Sequence, residues 1–179
     1  MKPASGFTAI ELTVVVAIVA ILAAMAMPAF DGVIHRYRVR CAAEDLTATI
    51  YLARSEAIRR GGNITLGKAS SADCPTNGPT DWSCGWFVFA DVNNNGQLDS
   101  TETAIQMSPA PKNVAVTIAS ANPSTYSKVN RWGDFGGLGV LSFKLRPIHA
   151  NDEAAFQVLC LTSGGRLKTV YGTADCPGA

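Results

Sequence analysis

Charge is scarce in this chain. Only 16% of its 179 residues are Asp, Glu, Lys or Arg, and 15 basic residues nearly balance 14 acidic ones, for a net charge of +1. Soluble domains average about 25% charged residues. So small and even a charge excludes an acidic or basic tail and a broadly nucleic-acid-coating surface. Histidine is scarcer still, with 2 in the chain. His35 and His149 stand apart, and no cysteines have C-x-x-C spacing, so a zinc site is not expected. There is no serine with a matched histidine and acid, no phosphate loop and no carboxylate pair on recognisable scaffolding. No enzyme activity is therefore expected. Internal repeats are also lacking.

The apolarity that displaces charge is concentrated. From Phe7 to Met27 the only charged residue is Glu11, and the rest is Ala, Val, Ile, Leu and Met with a few threonines. As a helix this segment spans about 31 Å, the thickness of a bilayer's hydrocarbon core. Lys2 precedes it, so the N-terminus is expected on the cytoplasmic side with the remainder outside. A secretory signal has an apolar core of only ~7–15 residues followed by a small-residue cleavage site. This run is longer and no A-x-A site follows, so removal of the whole segment is not expected.

Glu11 is the anomaly, because an ionised carboxylate in a membrane helix costs roughly 3 kcal/mol and points to a partner. The residues around it, Gly6-Phe7-Thr8-Ala9-Ile10-Glu11-Leu12, resemble the type IV prepilin signature, with Ala9 in place of the usual leucine. The resemblance implies that a prepilin peptidase cuts between Gly6 and Phe7 and methylates the new amine on Phe7. It also implies that Glu11 pairs with the N-terminal amine of a neighbouring subunit during assembly. Two opposite charges in lipid attract strongly while each is costly alone, so such a pair sets register between otherwise apolar helices.

Beyond Pro28 the helical pattern resumes. Phe30, Ile34, Tyr37 and Cys41 recur at helical spacing, as do Ala42, Leu46, Ile50, Ala53 and Ala57. Arg59-Arg60 suit the negative end of a helix dipole, and Gly61-Gly62 suit its cap. One helix from Phe7 to Arg60, on the order of 80 Å long, is expected. Strands are expected at Asn63–Lys68, Trp86–Ala90, Thr103–Met107, Val114–Ser120, Val140–Leu145, Phe156–Leu161 and Leu167–Tyr171, separated by Pro, Gly, Asn and Ser. Ala69–Asp81 and Ala121–Gly139 read as loops. The expected organisation is a leader over 1–6, a transmembrane or filament-core helix over 7–27, its amphipathic continuation over 28–61 and a β-rich domain over 62–179.

A second resemblance narrows the family. Ala53-Arg54-Ser55-Glu56-Ala57-Ile58-Arg59-Arg60-Gly61, Gly85-Trp86-Phe87-Val88-Phe89-Ala90-Asp91, Asn95-Gly96, Asp99-x-x-Glu102 and Gly165-Arg166 resemble the minor pilins and pseudopilins of the FimT, FimU and GspH group. The implied fold class is α+β and type IV pilin-like: a long N-terminal helix packed on an antiparallel β-sheet domain. The implied function is that of a minor type IV pilin in pilus assembly and its initiating tip complex, serving twitching, adhesion or DNA uptake. A type II secretion pseudopilin is the alternative. Implied partners are other pilins, prepilin peptidase and the inner-membrane assembly platform. The implied location is the inner membrane, single-pass with a periplasmic domain, and then the filament.

Three further features carry expectations. The 5 cysteines suit an oxidising compartment. Proximity favours Cys74–Cys84 and Cys160–Cys176 among three pairings, each stabilising by roughly 2–4 kcal/mol. Cys41 is left over on the apolar stripe, where a buried free thiol is expected and an intermolecular bridge is the alternative. Second, Asp91 to Glu102 fits the calcium-loop pattern D-x-[DN]-x-[DN]-G-x5-E, with oxygens from Asp91, Asn93, Asn95, the Gln97 carbonyl, Asp99 and Glu102 around Gly96. Strands rather than helices flank it, so the same residues also read as a hairpin turn on Asn and Gly. Calcium is the one cofactor the pattern admits. Third, Lys144-x-Arg146 and Arg166-x-Lys168 each put two cations on one strand face. Gly165-Arg166-Leu167-Lys168 resembles the Gly-Arg-x-Arg motif of DNA-binding FimT-type pilins, with lysine last. The alternatives are a weak, salt-dependent DNA contact and a solvated strand edge.

Overall fold

The computed structural model describes residues 6–70, 74, 78–119, 125–136, 141–149, 152–162, 164–172 and 175–176, and within these the side chains of 25–30 are left aside. Leader residues 1–5, Ser120, Val140 and parts of the two expected loops therefore lie outside the described residues. The chain forms two compact units, Met1–Ile34 and His35–Ala179.

Helix α1 runs over Ala9–Arg60, 52 residues. In the first unit its apolar side chains are exposed, among them Ile10, Val16 and Leu22 at 73%, 59% and 62%. In the second unit the helix is amphipathic. Val39, Ala42, Ala43, Leu46, Ile50, Ala53 and Ala57 are buried along one stripe, at the three- and four-residue intervals that keep side chains on one face. After Arg60 the ladder stops. The Gly62 N–H donates to the Ala57 carbonyl at 2.7 Å, and Gly61, Gly62 and Asn63 all have positive φ, which closes the C-terminus in the Schellman manner.

The rest of the second unit is two four-stranded antiparallel sheets. The first holds β1 (Ile64–Lys68), β2 (Gly85–Ala90), β3 (Ala104–Pro109) and β5 (Tyr126–Val129), in the order β3-β2-β1-β5. The second holds β4 (Val114–Ala119), β6 (Leu141–Pro147), β7 (Gln157–Leu161) and β8 (Leu167–Tyr171), in the order β4-β6-β7-β8. The sequence pattern leads one to expect seven strands in an antiparallel β-sheet domain. The added strand, β5, lies in the stretch read as a patternless loop. Its four residues, Tyr-Ser-Lys-Val, carry too little apolar alternation to register, and it exists because β1 offers it an edge, with Ile64 opposite Val129.

One apolar cluster joins the helix stripe to strands of both sheets. Thr49 ties α1 to the first sheet: its hydroxyl accepts from Trp86 Nε1 at 3.3 Å and Gln106 Nε2 at 3.2 Å. Across the sheets, fully buried Trp82 meets Phe143 edge-on with centroids 5.4 Å apart. Trp82 is held there because its N–H donates to the Val116 carbonyl at 2.8 Å while Ile118 N–H donates to Thr80 at 2.8 Å. Residues 80–82 thereby cover the otherwise open edge of β4, where unpaired backbone groups would invite another strand.

Candidate functional site

At the start of α1 the backbone of the first turn is capped by Thr8. Its hydroxyl accepts from Glu11 N–H at 3.3 Å, so Glu11 sits at the third helical position, where an acid is favoured by the helix dipole. Thr13 hides its hydroxyl on the Ile10 carbonyl at 2.9 Å, leaving Glu11 as the one charge on this apolar surface. Phe7 is 88% exposed. A Cβ on Gly6 would meet nothing within 4 Å, so packing does not demand a glycine there. Among the described residues no helix is long and apolar enough to cross a membrane; described side chains on the apolar stretch stop at Ala24 and resume at Asp31.

Cys74 is bonded to Cys84 and Cys160 to Cys176, with Cα separations of 5.7 and 5.6 Å. Cys41 is free and exposed, not buried as its stripe suggests. The stripe splits: Ile34, Tyr37 and Cys41 follow one row whose side chains stay in solvent, while the neighbouring row through Ala42 and Leu46 turns into the core.

The loop over 91–102 closes on its own atoms. Asp91 is fully buried, and its carboxylate accepts from the Thr65 hydroxyl at 2.8 Å and from the N–H groups of Asn95 and Gly96, each at 2.9 Å. Glu102 accepts from Val92 N–H at 2.8 Å and Asp99 N–H at 3.2 Å. Asp99 accepts from the amides of Asn93 at 2.6 Å and Asn95 at 3.0 Å. Asn95 Oδ1 takes the Gln97 N–H at 2.7 Å. Each side chain of the calcium pattern is thus bonded within the loop or to β1. Among the described residues no group of three or more His, Cys, Asp or Glu is placed to hold a metal.

The four expected cations share the outer face of the second sheet, but β7 separates them. Ser142, Cys160 and Lys168 form one row across β6, β7 and β8; Lys144, Val158 and Val170 form the next. The Cys160–Cys176 bridge brings the tail over this face, and Asp175 pairs with Lys144 at 2.5 Å. Arg146 lies further along β6, past the end of the β7 pairing. Only Arg166 and Lys168, on adjacent same-face positions, remain as a pair.

Arg54 has a larger structural part than its place in the motif suggests. Its Nε donates to the Gly133 carbonyl at 3.0 Å and its Nη1 to the Gly165 carbonyl at 2.7 Å. One side chain on α1 thus ties together two turns 32 residues apart (165 − 133). Both glycines are required: φ is +79° at Gly133 and +74° at Gly165, and a Cβ on Gly165 would come within 2.6 Å of the guanidinium. The first turn is built on Asn130, whose Oδ1 accepts from the N–H groups of Trp132 at 2.8 Å and Asp134 at 3.0 Å. An Asn three residues before a Gly-Asp pair is the sequence signal for this turn.

A long N-terminal helix, a β-domain built against its C-terminal half and an N-terminal carboxylate on an apolar helix surface define the class of type IV pilins and pseudopilins. The family model described as type II transport protein GspH matches residues 42–165, and the chain belongs to that family. The type IV major fimbrial protein FimA of Dichelobacter nodosus strain VCS1703A is 41% identical over 73 residues, which are 41% of this chain and 41% of that protein. The match therefore spans about two fifths of the relative's length. Crystal structures of the type IV minor pilin FimU of Pseudomonas aeruginosa PAO1 share the fold. In one the TM-score is 0.59 at 18% identity, covering 79% of this chain and 95% of FimU. In a second crystal form it is 0.56 at 17% identity, covering 77% and 97%.

Proposed function

We propose that this chain is a minor subunit of a type IV filament, held in the inner membrane by residues 7–27 with its β-domain in the periplasm before it is assembled. The observation that carries the reading is the helix surface from Ile10 to Leu22. It is apolar, exposed and interrupted by one carboxylate, on a chain whose other unit has a completed core. Exposed apolar area of this extent is stable only in lipid or against other helices. The open space at Gly6 supports a processing role for that glycine, since nothing in the packing selects it. In this reading prepilin peptidase cleaves between Gly6 and Phe7 and methylates Phe7. Glu11 then pairs with the Phe7 amine of the adjacent subunit as the assembly platform extracts the helix from the membrane.

Two assemblies fit. The likeness to FimU and FimA favours a surface pilus, where the chain would join the initiating tip complex. The GspH family model favours a secretion pseudopilus. Deleting the gene and scoring twitching, transformation and exoprotein secretion separates them. The filament reading itself is tested by Glu11→Ala in the full-length chain. Incorporation into sheared filaments is expected to drop severalfold or more while membrane levels and thermal melting of the subunit stay unchanged. Normal incorporation overturns it.

A further inference from the structure

Just past the end of α1, three segments meet around a recess of about 300 Å³. The helix cap supplies Gly62 and Asn63, and the 91–102 loop supplies Asn94. Strand β5 and the turn after it supply Lys128, Asn130 and Arg131. Each wall is fixed by its own chemistry. Gly62, Asn63 and Asn94 have φ of +107°, +55° and +60°. A Cβ on Gly62 would lie 3.4 Å from the Arg131 backbone nitrogen, so cap and turn approach closely. A Cβ on Gly96 would strike the Tyr126 ring at 2.4 Å, which seats the loop against β5. Lys128 Nζ donates to the Asn94 carbonyl and braces the same junction. Asn130 Oδ1 closes the turn on the N–H groups of Trp132 and Asp134. The recess is thus preformed, which lowers the cost of filling it.

Several of its polar groups are unspent. Asn63, Asn94 and Arg131 are exposed, and among the described residues their side chains have no hydrogen-bond or ionic partner. Glycine would serve the left-handed backbone at 63 and 94 equally well. The two amides are therefore surplus to the turns, and each adds donors and an acceptor. No Asp or Glu is among the described residues that line the recess, which carries the two cations Lys128 and Arg131. The adjacent C-terminus of α1 contributes about −0.5 elementary charge. That balance favours a ligand with one negative charge over one with two.

We infer that this recess binds one uronic acid residue of an acidic glycan. Its carboxylate lies on Arg131 and Lys128, and its hydroxyls pair with the Asn63 and Asn94 amides. A guanidinium fork donates two parallel hydrogen bonds to a carboxylate. Amides both donate and accept, as hydroxyls do, so they suit a ring that carries several. Phosphate would bring a second charge toward the negative end of the helix and has no hydroxyls for the amides. The inference uses no residue of the 7–27 segment and is independent of the filament assignment, which the Glu11 variant tests separately.

The test is calorimetric titration of the full-length chain in detergent micelles with trigalacturonate, with uncharged galactotriose and with sodium phosphate, at one ionic strength. Trigalacturonate should bind, galactotriose should bind about tenfold more weakly, and phosphate should not displace the acidic trimer. Arg131→Ala should lower affinity about tenfold, the order expected for losing hydrogen bonds to a charged group. Arg131→Lys should recover only part of this, because lysine lacks the fork. Asn63→Gly and Asn94→Gly keep the left-handed backbone; each should weaken binding severalfold at an unchanged melting temperature. Lys112→Ala removes an exposed cation outside the recess and should change nothing. Absence of trigalacturonate binding, equal binding of galactotriose, displacement by phosphate, or an unaffected Arg131→Ala variant overturns the inference and leaves the filament reading standing.

Discussion

Helix α1 carries two apolar surfaces that are alike in composition and opposite in use. Between Ile10 and Leu22 valine, isoleucine and leucine occupy every side of the helix and all stand exposed; between Val39 and Ala57 the buried apolar residues, Val39, Ala42, Ala43, Leu46, Ile50, Ala53 and Ala57, form one stripe. A surface apolar all round cannot be satisfied by one sheet, whereas a stripe can. The difference separates an element made for lipid and other helices from one made for its own domain, although both belong to the same secondary structure.

Core substitutions should break this comparison most sharply. Leu46→Ala, at a fully buried position, is expected to cost about 2–5 kcal/mol in urea unfolding of the detergent-solubilised chain. Val16→Ala, at 52–73% exposed surroundings such as Val15 and Ile10, should leave the midpoint unmoved. Equal effects would mean that the first unit has a core of its own. Asp91→Ala should come next, at about 3 kcal/mol, because it strands two backbone N–H groups and the Thr65 hydroxyl. With those carboxylates already satisfied, millimolar calcium is expected to leave the melting temperature unchanged; a rise of several degrees would show the loop reorganising around the cation. Replacing Cys160 and Cys176 by serine should cost roughly 2–4 kcal/mol, read in the same unfolding assay against the oxidised parent.

Two smaller effects concern the helix in the second unit. Cys41 should react with a maleimide in the native protein at the rate of an open thiol, with no denaturant; protection would place it in a contact. Hydrogen bonds from Arg59 and Arg60 hold the Glu56 pKa down from 4.5 to about 2. A depressed carboxylate pKa contributes stability above pH 4.5 that is lost as pH falls toward 2. The group is at the surface, so the effect is small. Glu56→Gln should remove that part of the acid dependence and little else.

The N-terminal features were legible because they are local. Ala9 to Arg60 needs no distant residue to be helical, and Glu11 announces itself by being the one charge in an apolar run. Strands such as Trp86–Ala90 and Phe156–Leu161 were legible from apolar content, and the observed bounds fall within one or two residues. Strand β5 was not, since Tyr126–Val129 is defined by its pairing with β1. The exposure of Cys41 depended on which of two adjacent helical rows meets the sheets, and periodicity alone treats both rows alike. Asp91 read as a candidate metal ligand because its spacing to Asn93, Asn95 and Glu102 is the same whether a cation or backbone N–H groups fill the turn.

By itself the sequence determined the long helix, the apolar segment with its single carboxylate, most strands and the family. Each rests on near-neighbour spacing or on a contiguous motif. Only the tertiary structure decided that the β-domain is two sheets, that β7 and Asp175 break up the basic strand face, and that Arg54 draws the turns at Gly133 and Gly165 to one point. Those outcomes depend on which distant segments pack together, and that is set by shape and hydrogen bonding across the whole core, which no local pattern encodes.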